Sequence, residues 1–175
     1  YTTFPEQTNG TWGIHWSTIE DKIFFWEGGN EDYSYWVNAD GTNMVQFPHI
    51  GPDYYQHPSV NTANDNVAYV EGSSGIIVTD PSGNVIWSLD HGRNPKWSRS
   101  GDRILFVSDN GTGIWNLFVI NADQSGLTQL TDYQTNSSDF VSAYYQYQWH
   151  WGENVWSYDD RYVLYNLYSG GRMIR

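Results

Sequence analysis

The sequence has no cysteine among its 175 residues, and it has only eight Lys and Arg residues against twenty Asp and Glu residues. The missing cysteine excludes disulfides and thiolate metal sites, and it leaves the redox compartment open. The formal net charge of −12 repels phosphate backbones and anionic lipid, which argues against nucleic acid and membrane surfaces as partners. No apolar run approaches the roughly 18 residues of a membrane span, so we expect no membrane insertion.

The sequence also lacks the usual signatures of a reaction centre. It contains no G-x-S-x-G nucleophile motif, no phosphate-binding Gly-Lys loop and no H-E-x-x-H pair. The chain opens at Tyr1 instead of Met, so we expect a processed or trimmed piece of a longer precursor. Cations, neutral glycans and other proteins remain as classes of partner.

Aromatic residues are abundant by contrast, with ten Trp, fourteen Tyr and seven Phe. Aromatic side chains favour the half-buried, pleated surface of a β-sheet. The composition therefore predicts an all-β protein. At this length one domain can bury a sizeable core without a disulfide or a metal ion.

Four ten-residue segments of the chain align without a gap. Each opens with a large apolar residue, continues through a polar turn and ends in a strand with alternating apolar residues. The segments are WSTIEDKIFF from Trp16, VNTANDNVAY from Val60, WSRSGDRILF from Trp97 and WSYDDRYVLY from Trp156. Their starts are 44, 37 and 59 residues apart, and the first two spacings are near the roughly 40 to 45 residues of a four-stranded propeller blade.

A second motif recurs in phase with the first. In YWVNADGTNMVQF and FVINADQSGLTQLT, an apolar strand ends in Asn-Ala-Asp, turns and begins another strand, and GIIVTDPSGNVIWSL follows the same plan. The repeating unit is thus four antiparallel strands. The sequence predicts about four β-propeller blades, starting near residues 12, 57, 94 and 148, in one propeller over residues 1–175.

These segments resemble the TolB-type, WD-like propeller repeat. The consensus sequence of that repeat is close to P-x-W-S-P-D-G-x-x-I-A-F, followed by an Asp-Gly turn and a closing L-T. Residues 94–131 match it nearly throughout, whereas Tyr158 and Asp160 stand where Pro and Gly are usual. The resemblance implies a β-propeller in which Trp97 packs between adjacent blades. It leaves the function open, because this scaffold carries binding, assembly and catalytic roles.

The resemblance also implies six to eight blades, whereas only four starts are visible. We expect one more strand, GGRMIR, after Tyr165, which leaves the fourth blade without its outermost strand, and YTTF stands where such an outer strand belongs. Three arrangements stay open: a small four-bladed ring, a fragment of a larger ring, and pairing of the N-terminal strand with the last blade of another molecule. We expect the two ends to pair, within or between molecules.

The long third spacing contains an aromatic insertion at residues 132–155. Flat aromatic faces on a loop of a rigid scaffold suit sugar rings or the anchor residues of a protein interface. The alternation in YYQYQWHW is equally typical of an innermost strand, whose aromatics would only cover blade edges. The candidate binding residues are Tyr133, Phe140, Tyr144, Tyr145, Tyr147, Trp149 and Trp151.

Three of the five histidines, His15, His57 and His150, fall beside or within predicted innermost strands. Since these strands face the central channel of a propeller, the three could converge as a metal site or general base, although turn and surface histidines are the default. The acidic turns NADGTN, SDNGTG and YDDR offer oxygen ligands for calcium, but Asp and Asn are ordinary turn residues. We interpret these turns as structural and expect no cofactor. Three N-x-S/T triplets, at Asn9, Asn110 and Asn136, are candidate glycosylation sites.

The leading hypothesis is a non-catalytic, extracytoplasmic binding or assembly module: periplasmic, cell-surface or secreted. Its partners would be other proteins or copies of itself, through terminal blade strands, and glycans. The alternative is a propeller-type polysaccharide lyase or another carbohydrate-active domain, which would be favoured by two or more of the three histidines lying within metal-binding distance of one another beside Arg93 or Arg161. A third reading makes these blades the rigid part of a larger enzyme or envelope complex.

Overall fold

The computed structural model describes residues 11–27, 34–47, 58–70, 75–133, 155–167 and 170–174, which form strands and turns. The first blade comprises β1 (Thr11–Trp16), β2 (Lys22–Glu27), β3 (Ser34–Asn38) and β4 (Val45–Phe47). The second comprises β5 (Ser59–Val60), β6 (Val67–Val70), β7 (Ile76–Thr79) and β8 (Val85–Leu89). The third comprises β9 (Arg93–Trp97), β10 (Arg103–Ser108), β11 (Asn116–Asn121) and β12 (Thr128–Gln129). Of the fourth, the structure describes β13 (Val163–Leu167) and β14 (Gly170–Ile174).

Within each of the first three blades, the strands pair antiparallel in chain order. The predicted all-β fold of four-stranded blades is therefore confirmed, as is the strand predicted in GGRMIR. None of the described residues belongs to a helix long and apolar enough to cross a bilayer. Residues 1–10 lie outside the described part of the chain, so pairing of the two ends and a single propeller over residues 1–175 stay predictions.

The central strand β10 shows why the blade strands are apolar at consecutive positions. Successive residues of a strand point to opposite faces of its sheet. Ile104 and Phe106 pack with the second blade, whereas Leu105 and Val107 pack with Trp156 of the fourth. A blade between two others buries both of its faces, so its strands read as continuous apolar runs instead of alternating ones.

Over the described residues, the core comprises three layers, one between each pair of successive blades, and a fourth cluster of Phe25, Tyr35 and Val37 on the other face of the first blade. The layer between the first two blades contains Phe24, Trp36, Val67, Tyr69 and Ile77. The next contains Ala68, Ile76, Val78, Trp87, Trp97, Ile104, Phe106, Phe118 and Ile120, and the third contains Leu105, Val107, Leu117, Trp156 and Val163. The prediction that Trp97 packs between adjacent blades is thus confirmed.

A polar turn joins the first strand of each blade to the second, and its residues satisfy its own backbone. In the third blade, Ser98 Oγ accepts a hydrogen bond from the Arg103 backbone N–H at 3.1 Å. Gly101 has φ +76, a conformation that few side chains tolerate, and an added Cβ would collide with the side chain of Asn61. The glycine of the motif is needed because the neighbouring blade approaches it closely.

Candidate binding surface on the first blade

The four turns between first and second strands form a row, which we call the turn row: residues 17–21, 61–66, 98–102 and 157–161. Consecutive turns touch through the third residue of each aligned segment. Thr18 Oγ1 donates to the carbonyl of Thr62, and Thr62 Oγ1 donates to the carbonyl of Arg99 at 3.3 Å. The guanidinium carbon of Arg99 lies 5.2 Å from the centroid of the Tyr158 ring. The third residue of the segment thus links each of the first three blades to the blade that follows it.

Buried carboxylates provide a second set of links along the turn row. The hydroxyl of Ser17 donates to the carboxylate of Asp65, which is 2% exposed. Asp160 accepts hydrogen bonds from the backbone N–H groups of Arg99 at 2.9 Å and Ser100 at 2.7 Å. Hydrogen bonds to an ionised acceptor are stronger than those between neutral groups. In both links a carboxylate of the later blade binds donors of the earlier blade.

Asp160 occupies the position that glycine takes in the third turn, and it adopts the same left-handed backbone, with φ 54. Asp is one of the few residues with a side chain that visits this region readily. Glycine would satisfy the backbone but could not bind the preceding turn. This explains why the fourth segment departs from the usual Asp-Gly of the repeat.

The lead residues of the third and fourth segments pack on the preceding blade. Trp97 and Trp156 are each 5% exposed, and Trp156 Nε1 donates to the carbonyl of Lys96 at 3.1 Å. Trp16 stands at the same position in the first blade, yet it is 56% exposed, and Ile14 beside it is 72% exposed. Trp16 is therefore exposed, although the equivalent tryptophans of the third and fourth blades are buried.

Trp16 and Ile14 belong to one apolar sheet surface, which we call the first-blade face. Cross-strand partners share a face, and the pairs Trp16–Ile23, Ile14–Phe25, Ile23–Val37 and Phe25–Tyr35 define this one. The rings of Phe25 and Tyr35 stack with centroids 5.3 Å apart. The opposite face, with Phe24 and Trp36, packs on the second blade. Phe25, Tyr35 and Val37 are buried within the chain, so the exposed part of the first-blade face is its β1 end with Ile14 and Trp16.

An acidic cleft of about 330 Å³ lies next to the first turn of the row. The backbone N–H of Ala39 donates to the carbonyl of Asp21 at 2.9 Å and joins the two turns that form the cleft. Hydrogen bonds from the Thr42 hydroxyl and backbone lower the pKa of Asp40, so this carboxylate is charged at neutral pH. The lining residues are Glu20, Asp21, Lys22, Asn38, Ala39 and Asp40.

The aromatic insertion lies mostly outside the described residues. Tyr133, at its start, is half-buried and packs against the layer between the third and fourth blades. Its backbone N–H donates to Asn116 Oδ1 at 2.8 Å. The other six candidates, Phe140, Tyr144, Tyr145, Tyr147, Trp149 and Trp151, fall within residues 134–154, which the structure does not describe.

His15 lies in β1 and faces the second blade beside Phe24 and Trp36. Burial lowers its pKa below the ordinary histidine value, and the nearby charge of Asp65 opposes this shift. Over the residues that are described, no three metal-ligating side chains come together. His57 and His150 lie outside them, so the meeting of the three histidines stays a prediction.

Of the remaining candidate residues, the structure describes Arg93, Arg161 and Asn110. Arg93 stacks over the ring of Trp115 at 4.9 Å, and Arg161 is exposed on the fourth turn. Asn110 is exposed in a tight turn with φ 46, whereas Asn9 and Asn136 lie outside the described residues. In the acidic turns, Asp40 and Asp159 accept hydrogen bonds from their own turns, from Thr42 and Arg161 backbone N–H groups at 2.9 and 3.2 Å.

Sequence reasoning missed the first-blade face. The repeat identifies Trp16 as a lead residue and therefore assigns it to packing between blades. Whether a blade actually covers it depends on which sheets are neighbours in space. The available signal was the alignment itself, since Trp16 opens the first of the four segments.

No protein-family model and no curated protein matches the chain. Solved structures match its fold. A chain of a nidogen/laminin complex has a TM-score of 0.53 and 8% identity, covering 89% of this chain and 56% of that one. TolB from Acinetobacter baumannii has a TM-score of 0.52 and 11% identity, covering 95% of this chain and 43% of that one. The chain spans about half the length of these two structures. It has the TolB-like β-propeller repeat fold.

Proposed function

We propose that the chain is a non-catalytic binding or assembly module that recognises another protein through Trp16 and Ile14, the exposed end of the first-blade face. One observation supports this above all: Trp16 is 56% exposed, whereas the equivalent Trp97 and Trp156 are 5% exposed. A Trp side chain buries roughly 150 to 250 Å² when fully covered. At about 25 cal/mol per Å², covering the open half of Trp16 would contribute about 2 to 3 kcal/mol to binding.

The surroundings of Trp16 have the composition of a protein interface. The exposed apolar residues there are Ile14, Trp16 and Ile19, and the acidic cleft with Glu20, Asp21 and Asp40 borders the same turn. Charged groups at a rim contribute to the choice of partner and to association rate more than to affinity. The cleft favours a partner that presents backbone N–H groups or cationic side chains.

The comparisons agree with such a role, and they also motivate the proposed location. The nidogen chain was solved in a complex with laminin, so a propeller of this architecture takes part in a protein assembly. An extracytoplasmic location is part of the proposal and is based on the resemblance to the TolB-type repeat. Glycan contact through the aromatic insertion remains a separate proposal, because six of its seven candidate residues lie outside the described part of the chain.

Site-specific photo-crosslinking tests the proposed surface. A benzophenone amino acid replaces Trp16 in one variant and Val85 in a matched control, since Val85 is 61% exposed on the outermost strand of the second blade. Both variants are irradiated as purified protein and in the envelope and secreted fractions of the producing cell. We expect protein adducts at position 16 and none at position 85. Absence of adducts at position 16, or equal yields at both positions, would contradict the proposal.

A further inference from the structure

We propose that the amino group of Lys96 is a site of covalent modification by small aldehydes, which condense with it to form an imine. Lys96 lies in the third blade, so the site is separate from Trp16 and does not depend on binding there. It is one of two lysines in the chain, and the other is Lys22. The two lysines have opposite surroundings.

The side chain of Lys96 lies on the sheet face that packs on the fourth blade. Lys96 is the cross-strand partner of Leu105, and directly opposed residues share a face. Leu105 is 2% exposed and belongs to the same apolar layer as Val107 and Trp156. An ammonium group loses its hydration in such surroundings, so lysine is rarely buried there without a partner. The fold thus directs an amine into an apolar layer.

The charged side chains on the same face of the third blade are cations. Arg93 pairs with Val107 across the strands, and the guanidinium carbon of Arg103 lies 5.0 Å from the centroid of the Trp156 ring. A guanidinium group carries a permanent positive charge. Neither arginine can therefore stabilise an ammonium group on Lys96.

The fourth blade directs the carboxylate of Asp160 to the third blade, but this group binds the turn. It accepts hydrogen bonds from the backbone N–H groups of Arg99 at 2.9 Å and Ser100 at 2.7 Å. Over the part of the chain that the structure describes, no carboxylate forms an ion pair with Lys96. Burial then lowers the pKa of Lys96 to about 8. Much of the amine is therefore neutral near physiological pH, and the neutral form is the nucleophile.

The backbone of Lys96 is fixed, whereas its side chain keeps some contact with solvent. Trp156 Nε1 donates a hydrogen bond to the Lys96 carbonyl at 3.1 Å, and the preceding Pro95 is buried. Lys96 itself is only half-buried, so the layer does not enclose it. Lysines that are desolvated but still reachable are the ones that form Schiff bases in proteins.

The modification is a condensation that needs no oxidant. The neutral Nζ of Lys96 attacks the carbonyl carbon, a C–N bond forms, and the carbonyl oxygen takes up the proton that the nitrogen releases. This carbinolamine loses water and leaves a C=N bond to Nζ. Water reverses both steps, so the aldehyde is held reversibly. The half-buried position favours small aldehydes over bulky ones.

Reductive trapping of the full 175-residue chain tests this reactivity. Acetaldehyde is the probe, and cyanoborohydride transfers a hydride to the imine carbon to give a stable ethylamine. Lys22 is the matched internal control, because its side chain is 39% exposed and it forms an ion pair with Glu20. Mass spectrometry of the peptides measures both rates.

We expect the native chain to be ethylated at Lys96 at least tenfold faster than at Lys22 at pH 7.5. At that pH an amine of pKa about 8 is roughly a quarter neutral, whereas an ordinary lysine is neutral to about 0.1%. In urea, where the layer is lost, the two rates should be equal. Equal rates in the native chain, or faster reaction at Lys22, would overturn the proposal.

The pH dependence of acylation separates a neutral amine from mere accessibility. Acetic anhydride in trace amounts transfers an acetyl group to neutral amines, and acetate leaves. We expect the ratio of labelling at Lys96 to labelling at Lys22 to fall at least tenfold between pH 7.5 and pH 10.5. Lys96 is already largely neutral above pH 8, whereas an ordinary lysine continues to lose its proton over this range. A ratio that stays constant with pH would overturn the proposal.

Discussion

Asp160 shows how one residue can serve both its own turn and the neighbouring blade. Its backbone replaces the glycine of the repeat, and its carboxylate binds two N–H groups of the third turn. The residue is 6% exposed, so removing the carboxylate would leave these donors in a poorly hydrated place. Losing a buried charged acceptor costs more than losing an exposed one.

We predict that Asp160→Gly lowers the free energy of unfolding by about 1 to 3 kcal/mol. Glycine tolerates φ 54, so the change isolates the lost hydrogen bonds from backbone strain. Urea denaturation measures the difference. Asp159→Asn is the control, because Asp159 is exposed and binds only within its own turn. Equal destabilisation by the two variants would contradict this role of Asp160.

The burial of Lys96 makes the stability of the chain depend on pH. It lies in β9 on the face directed to the fourth blade, and burial lowers its pKa to about 8 from an ordinary 10.5. Among the described residues no carboxylate forms an ion pair with it. The unfolded chain therefore takes up this proton at higher pH than the native chain does. Above about pH 10.5 the lysine is neutral in both states, and its burial does not reduce the free energy of unfolding. As the pH falls from 10.5 towards 8, the unfolded chain binds the proton first and the native state loses stability.

We predict that Lys96→Met raises the free energy of unfolding by about 1 to 2 kcal/mol at pH 7, a value reduced from the full shift because the side chain is only half-buried. The gain should vanish near pH 10.5, where the lysine of the parent chain is also neutral. Urea midpoints of both proteins at the two pH values test this. A gain that is independent of pH would show that packing, and not the charge, is responsible.

At the scale of the element, the contribution of a residue to stability depends on which sheet packs against its face of the strand. Trp97 and Trp16 open equivalent segments, and each precedes a polar turn of the turn row. Trp97 is covered by the second blade, whereas Trp16 lies on the first-blade face. Equivalent tryptophans of the repeat therefore contribute differently to stability, because the burial of each depends on the sheet that packs against its strand.

We predict that Trp97→Ala lowers the free energy of unfolding by about 3 to 5 kcal/mol, as expected for a large cavity in a core. Trp16→Ala should cost the chain only about 2 kcal/mol, because more than half of its side chain is already in water. Chemical denaturation at low protein concentration compares the two. Similar losses would mean that Trp16 is buried in solution within its own chain.

At the scale of the whole molecule, blades stack through repeated apolar layers, and on the first-blade face Phe25, Tyr35 and Val37 are buried while Ile14 and Trp16 are exposed. Binding of a partner at Trp16 would stabilise the folded chain by mass action, since a partner that binds only the native state shifts unfolding. The midpoint of thermal unfolding then rises with the concentration of that partner.

We predict that the protein captured by the crosslinker at position 16 raises the Tm of the parent chain by several degrees when it is added in large excess, and that it leaves the Tm of Trp16→Ala unchanged. Differential scanning calorimetry with and without this partner measures both. The Val85→Glu control should follow the parent chain. An equal rise in the parent chain and in Trp16→Ala would contradict binding at Trp16.

Much of the fold was predictable because its cause is local and repeated. Alternating apolar residues such as Ile104 and Phe106 specify strands, and Asn-Ala-Asp with Gly101 specifies turns. Four aligned copies of that pattern made the blade and the role of Trp97 visible in the sequence. The site was not predictable in the same way, since Trp16 carries the same signal as its buried equivalents.

The sequence by itself determined the strands, the turns and the large apolar lead residue of each blade, because these depend on backbone geometry and side-chain alternation within about ten residues. Only the tertiary structure decided which lead tryptophan stays exposed and what the aspartate in place of the glycine binds. Exposure of Trp16 and the binding of Asp160 to the third turn depend on sheets that are 40 or more residues apart in the chain. No local pattern contains that information, because packing partners are fixed only when the blades stack.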